Sequence, residues 1–299
     1  MNTGNEKKLL ELSRDNNEVK SVYKDLLAND YILYLHKNSI SRFCKRDQAY
    51  LLFTKEHKLN RYKNVLYKLE EPFGREINHK TPSKLIVIFT KMPAAKPYDS
   101  AKIPYRMLPP FFDNLERTLL KNVYTMRIMD LNVSHGSHYI NTKYYPEYEN
   151  EIKGAIESVQ NNLGIDSENI VLYGGSKGGT GVIYHGAALD LKTIAADPIV
   201  NIGGKLEQND RRFLKDNRTE DFVPLINKNL SEKSTNEKHV ICSEEVPLYY
   251  NETKRLDKEK INIINIKDEK ITSHPEVSRN TVPEQLTILN ILLGLRNIW

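Results

Sequence analysis

The hydrophobic pattern splits the chain into a leading part of mixed periods and a later part where fully apolar runs alternate with amphipathic ones. Residues 6–28 carry Leu9, Leu12, Val19, Tyr23, Leu26 and Leu27 at helical spacing, which predicts an amphipathic helix. Short β-type runs follow at Tyr31–Leu35, Ala49–Phe53 and Asn64–Leu69, separated by polar turns. Lys84–Phe89 is the first run of the kind buried on both faces of a parallel sheet. Val123–Met129, Ile170–Tyr173, Thr193–Ala196, His239–Cys242 and Ile261–Ile266 repeat that character. Helical patterns occupy Glu147–Leu163, the stretch after Gly181, and Pro283–Ile298. This alternation predicts a doubly wound, mostly parallel sheet with helices on both faces, a three-layer sandwich with short antiparallel strands at its leading edge.

One junction stands out. Ile170–Tyr173 runs into Gly174-Gly175-Ser176-Lys177-Gly178-Gly179-Thr180-Gly181, and the helical pattern begins directly afterwards. Strand, sharp turn and helix with G-x-S-x-G at Gly174, Ser176 and Gly178 is the pattern of a nucleophile elbow. A serine at the apex of such a turn needs small neighbours, because strand and helix backbones pass close together there. The helix N-terminus beyond it offers N–H groups to an oxyanion. A phosphate-binding loop fits less well. Lys177 follows the serine and precedes Gly178, which breaks the G-x-x-x-x-G-K-[ST] order, and no G-x-G-x-x-G window is present.

Composition narrows the class only a little. With 299 residues, 39% hydrophobic and 28% charged, the chain reads as an ordinary globular protein with room for a large core. A net charge of +5 permits an anionic polymer as partner without requiring one, and nothing points to nucleic acid. No apolar run approaches the ~18 residues of a membrane span, and residues 1–30 lack the apolar stretch of a signal peptide. Two cysteines, Cys44 and Cys242, imply no disulfide framework and suit a reducing cytoplasm, the expected location.

A serine nucleophile needs a base, and the base needs an orienting carboxylate, in the chain order Ser, acid, His. Of the eight histidines, His36, His57, His79, His135 and His138 precede Ser176. His185 lies well inside the following helix, about 13 Å along its axis, and His239 opens a strand at the wrong end. His274, in a polar stretch after the last strand, is the expected general base. For the acid, Glu245 past the His239–Cys242 strand is the first choice, Glu244 the second and Asp197, after the preceding strand, the third. The backbone N–H of Lys177, and that of Thr90, Lys91 or Met92 in the turn after Phe89, are the candidate oxyanion donors. His135-Gly136-Ser137-His138 does not read as a metal site, since the glycine and loop setting spoil a shared helical face. The segment is expected to line the cleft, with His138 or Tyr139 touching substrate. Lys91, Lys96 and Lys143 are expected to rim the same end of the sheet.

The stretch Val171–Gly186, followed by Ala195–Val200, resembles capsular polysaccharide biosynthesis proteins of the XcbB/CpsF kind. Its Ser-Lys-Gly-Gly elbow is similar to that of the meningococcal serogroup A capsule O-acetyltransferase. That likeness extends to Phe89–Pro93, Gly136–Tyr139, Cys242–Glu245 and the His274 segment. The resemblance covers most of residues 84–280 and implies an α/β-hydrolase-like catalytic domain, expected over residues 46–299; the helical extension expected over 1–45 has no counterpart in it. It also implies acetyl-coenzyme A as acyl donor and a capsular polysaccharide, an anionic one included, as acceptor. Ser176 would be acylated, with His274 and Glu245 completing a triad, although that enzyme has aspartates where this chain reads Glu244-Glu245-Val246. An esterase or deacetylase with the same triad, and a non-catalytic member of a capsule-assembly complex, are the alternatives.

Overall fold

The computed structural model describes residues 1–73, 76–112, 114–202, 210–230 and 234–295. The predicted N-terminal helix is broken. Asn16 adopts an extended backbone and its side chain accepts the Val19 N–H, so it ends α1 (Leu9–Asp15) and caps α2 (Asn17–Ala28). β1 (Tyr31–Lys37) and β2 (Ile40–Lys45) then form an antiparallel pair of their own rather than joining the main sheet. The expected strand Ala49–Phe53 is instead the start of α3 (Tyr50–His57). Ala49 and Phe53 are buried one helical turn apart while Leu51 and Leu52 face solvent, a period of four rather than two.

β3 (Asn60–Tyr62) and β4 (Val65–Glu70) are the antiparallel leading edge of an eight-stranded sheet. Its remaining strands are parallel: β5 (Lys84–Phe89), β6 (Val123–Ile128), β7 (Ile170–Gly175), β8 (Lys192–Ala196), β9 (Lys238–Cys242) and β10 (Asn262–Asn265). The order across the sheet is β10-β9-β8-β7-β5-β6-β4-β3. Between and after these strands lie α4 (Ala95–Tyr98), α5 (Ile103–Met107), α6 (Tyr148–Leu163), α7 (Lys177–Leu189), α8 (Val223–Asn229), α9 (Pro247–Thr253), α10 (His274–Asn280) and α11 (Val282–Leu292). The last helix was expected to reach Ile298. It stops at Leu292, and residues 296–298 lie outside the described residues.

Alternate residues of each central strand enter different cores, which is why these strands read as unbroken apolar runs. Leu85, Val87 and Phe89 pack with Ile152 and Ile156 of α6, Val182 and Ile183 of α7 and Ile226 of α8. Ile86, Ile88, Tyr173 and Ile241 pack on the other face with Val277 of α10 and Leu289 and Leu292 of α11. Helices therefore cover both faces of a mostly parallel sheet. The carboxyl ends of β5, β7, β8 and β9 meet along one edge, and the loops leaving that edge carry Ser176 and Asp197.

Candidate active site at the ends of four parallel strands

Ser176 sits between the end of β7 and the first residue of α7, with φ 55° and ψ −120°. A non-glycine residue there is strained, and it is held by its surroundings. Its N–H donates to the Ala196 carbonyl of β8 (2.9 Å). The neighbouring glycines allow the close approach. A Cβ on Gly178 would lie 2.0 Å from the Phe89 carbonyl oxygen, and one on Gly174 would lie 2.7 Å from the same atom. The elbow is thus wedged against the end of β5.

His274 is the first residue of α10 rather than part of a loop, and this places its ring over the elbow. Its Nε2 is 2.7 Å from Ser176 Oγ, and its Nδ1 is 2.6 Å from Asp197 Oδ2. With Nδ1–H donating to the carboxylate, Nε2 is left as the acceptor of the serine proton. Asp197 follows β8, has φ 45°, and its N–H donates to the Ile241 carbonyl of β9 (2.7 Å). It is 1% exposed, and burial pushes its carboxyl above the ordinary range while the His274 hydrogen bond pulls it back. Its Oδ1 has no hydrogen-bond partner among the described residues.

The first-choice acid is therefore corrected. Glu245 is exposed, and Glu244 turns outward to Lys267 Nζ (2.8 Å) and Asn265 Nδ2 (2.8 Å). The loop after β9 contributes an aromatic ring instead. Tyr249 of α9 stacks on His274 with ring centroids 4.2 Å apart and planes at 24°. The carboxylate in contact with His274 is that of the third-ranked residue, Asp197, because the loop after β8 turns inward beneath the histidine.

His138 and Tyr139 are also corrected. Both are fully buried and neither lines the cleft. His138 Nδ1 lies 3.3 Å from Thr180 Oγ1, and its Nε2 lies 3.3 Å from Arg212 Nη1. Since guanidinium only donates, that Nε2 accepts and the ring is neutral, in keeping with burial and nearby cations that hold it well below its usual range. The Tyr139 hydroxyl receives the Thr90 N–H (2.7 Å) and lies 3.2 Å from the Ile128 carbonyl. His185 is buried against Phe89, with Nε2 at 2.9 Å from the Tyr139 carbonyl. Among the described residues no cluster of three or more His, Cys, Asp or Glu is placed to hold a metal ion.

A cleft of about 660 Å³ opens over Ser176 and His274. Lys91 and Met92 line it, and because the Thr90 N–H is taken by Tyr139, the oxyanion candidates after β5 narrow to these two. Lys96 and Lys143 do not line it, whereas Arg211, Arg212 and Arg279 do, a basic set the sequence did not reveal. Two of these arginines lie in the irregular segment after Asp210, which carries no periodic signal, and the third lies on α10.

Residues 118–269, 152 of the 299, match the model of the family described as accessory Sec system GspB-transporter. The match includes Ser176 and Asp197 and stops short of His274. No curated protein sequence matches the chain significantly. Among solved structures, it is similar to the capsule O-acetyltransferase of Neisseria meningitidis serogroup A, a histidine-to-alanine variant in complex with CoA. The two are 14% identical with a TM-score of 0.53, over 79% of this chain and 94% of that one. It is similar to FphF, a fluorophosphonate-binding serine hydrolase of Staphylococcus aureus, at 17% identity and TM-score 0.50, over 76% of this chain and 91% of that one. A chain of the Glycosylation Associate Protein (Gap123) complex from Streptococcus agalactiae aligns at 18% identity and TM-score 0.47. That alignment covers 77% of this chain and only 44% of the other, so this chain spans less than half that protein's length. These likenesses place the fold among α/β-hydrolase-like proteins.

Proposed function

The chain belongs to the accessory Sec system GspB-transporter family, and from the geometry of the site we propose that it is a serine-nucleophile O-acetyltransferase acting on a glycan hydroxyl. The observation that carries this reading is the unbroken contact from Ser176 Oγ to His274 Nε2 and from His274 Nδ1 to Asp197. Acetyl-coenzyme A is the proposed donor, and Lys91, Arg211, Arg212 and Arg279 suit its phosphates. His274 takes the Ser176 proton as Oγ attacks the thioester carbon, and the C–S bond breaks as that proton passes to the departing thiolate. A sugar hydroxyl then gives its proton to His274 and attacks the acyl carbon. The ester bond to Ser176 breaks, and Oγ recovers the proton. The N–H groups of Lys177 and of Lys91 or Met92 hold the oxyanion in both halves. The elbow's resemblance to capsule proteins supports a capsular polysaccharide as acceptor.

Intact-mass measurement after mixing the purified protein with acetyl-coenzyme A tests this. One added acetyl group, absent in Ser176→Ala, is the expected result; release of coenzyme A without Ser176, or no adduct at all, would overturn it. Membership of an accessory Sec system family favours a second reading, an accessory component of an export system in which the chemistry is unused. That reading expects Ser176→Ala to leave glycan modification unchanged.

A further inference from the structure

The segment Gly136-Ser137-His138-Tyr139 does not touch the cleft, yet it is among the most tightly constrained parts of the molecule. Asp130, just past β6 and fully buried, is the reason. Its carboxylate accepts the N–H groups of Ser137 (3.1 Å), His138 (3.0 Å) and Tyr139 (3.3 Å), and the Tyr148 hydroxyl (3.1 Å). The backbone winds around it with positive φ at Gly136 (87°), His138 (64°) and Tyr139 (66°). At Gly136 no side chain fits, since a Cβ would lie 2.2 Å from Asp130 Oδ2. Two non-glycine residues in the left-handed region persist only where several contacts hold them there.

This loop is tied to both sides of the elbow. The Lys177 ammonium, also fully buried, lies 3.1 Å from Asp130 Oδ2 and donates to the His135 carbonyl (3.3 Å). Lys177 is the residue after Ser176, so its side chain fixes the backbone whose N–H is the proposed oxyanion donor. On the other side the Tyr139 hydroxyl takes the Thr90 N–H and lies 2.9 Å from Thr90 Oγ1, which sets the direction in which Lys91 and Met92 leave β5. The carboxylate thus gathers, through one ion pair and one phenol, the two strand ends that must hold their N–H groups about 3 Å from a single oxygen. A buried pair with this many hydrogen bonds is rigid, and breaking one partner leaves a charge unsatisfied.

We propose that Asp130 is the positioning residue of the oxyanion hole, setting the Lys177 N–H through the Lys177 side chain and the Lys91–Met92 turn through Tyr139. This rests on the acyl-transfer reading above. The test uses p-nitrophenyl acetate as the acyl donor, following the Ser176-dependent burst and steady state. Asp130→Asn keeps the shape but turns an amide donor toward donors. It is expected to lower kcat about a hundredfold while KM changes less than about threefold. Should that variant not fold, Tyr139→Phe removes the hydroxyl's contacts with Thr90 and the Ile128 carbonyl, leaves the Asp130–Lys177 pair in place, and is expected to lower kcat about tenfold. Tyr145→Phe, which loses a buried hydroxyl contact to Glu151 (2.5 Å) away from the site, is the control and stays within about twofold. A crystal structure of Tyr139→Phe should show the Lys91–Met92 turn displaced with Ser176 and His274 still in contact. Wild-type kcat in folded Asp130→Asn and Tyr139→Phe, or losses no larger than in Tyr145→Phe, would overturn the assignment. No Ser176-dependent burst in the wild type would instead defeat the nucleophile reading itself and leave Asp130 as a residue of the fold alone.

Discussion

The ends of β8 and β9 are neighbours in the sheet, and each is followed within three residues by carboxylates, yet only one of them reaches the histidine. After β8 the chain turns through a left-handed residue at Asp197, its N–H donates back to β9, and the carboxylate is buried beneath His274. After β9 Ser243 and Val246 are buried, but the two glutamates between them turn outward. Glu244 pairs with Lys267, Glu245 faces solvent, and α9 begins so soon that Tyr249 comes to lie on the imidazole. Both loops serve the same histidine, one with charge and one with a flat apolar face. Distance past a strand end therefore says little about which carboxylate reaches the histidine; the turn's handedness and its burial decide.

Replacing the two carboxylates separately is the most severe way to break this comparison. Asp197→Asn should lower kcat by about three to four orders of magnitude, since the amide no longer fixes the tautomer or stabilises the imidazolium. Glu245→Gln should leave kcat within about twofold, because an exposed side chain touching nothing in the site has little to lose. Steady-state turnover of acetyl donor by the two variants decides it. A reversed order would mean that the β9 loop swings inward when substrate binds.

A smaller effect tests the environments rather than the roles. Burial raises the Asp197 carboxyl, so between the unfolded value of about 3.9 and the raised one the native chain keeps a proton that the unfolded chain has released. Its contribution to stability is largest below that window and falls as pH rises through it. Hydrogen bonds from Lys267 and Asn265 lower Glu244, so its contribution is present above the unfolded value of about 4.3 and is lost as pH falls. The Tm of wild type minus that of Asp197→Asn should therefore decrease with rising pH across the acid range. The same difference for Glu244→Gln should increase, more weakly because that pair is exposed and screened. Slopes of equal sign would mean that the two strand ends do not differ as described.

The same contrast explains what was legible in the sequence. The pairing of Ser176 with His274 was readable because a glycine-flanked serine between strand and helix is a local pattern, and because chain order and position within helix or strand removed the other histidines. The central strands were readable because burial on both faces leaves an unbroken apolar run. Asp197 ranked low because the inward turn of its loop depends on a contact with β9, more than forty residues later. The glutamates ranked high on spacing alone. His138 and Tyr139 were misassigned for a related reason. A polar loop near the cleft looks like a substrate surface until a buried carboxylate, Asp130, is seen to be its centre. Helix α3 was misread because Tyr50–Phe53 is β-rich in composition, whereas its burial repeats every four residues.

The smallest effect concerns charge around the two strand ends. On the β8 side, Arg211, Arg212 and Arg279 join Lys91 at the cleft, while the carboxylate of Asp210 is engaged by Lys24 (2.8 Å). On the β9 side, Lys267 is 70% exposed and already paired with Glu244. If the acceptor is an anionic polymer, the cleft cations raise its local concentration, and salt screens them over about 10 Å at 0.1 M. The KM for polymer should then rise a few-fold, roughly two- to fivefold, between low and moderate salt, while that for a neutral single-sugar acceptor stays nearly flat. Arg211→Gln should flatten the polymer response, and Lys267→Gln should leave it as it is, since its charge is balanced and lies away from the cleft. Parallel salt responses for polymer and single sugar would remove the electrostatic role of the β8-side arginines and leave the Ser176–His274–Asp197 contact untouched. An equal loss from Lys267→Gln would place the polymer's path across the β9 end instead.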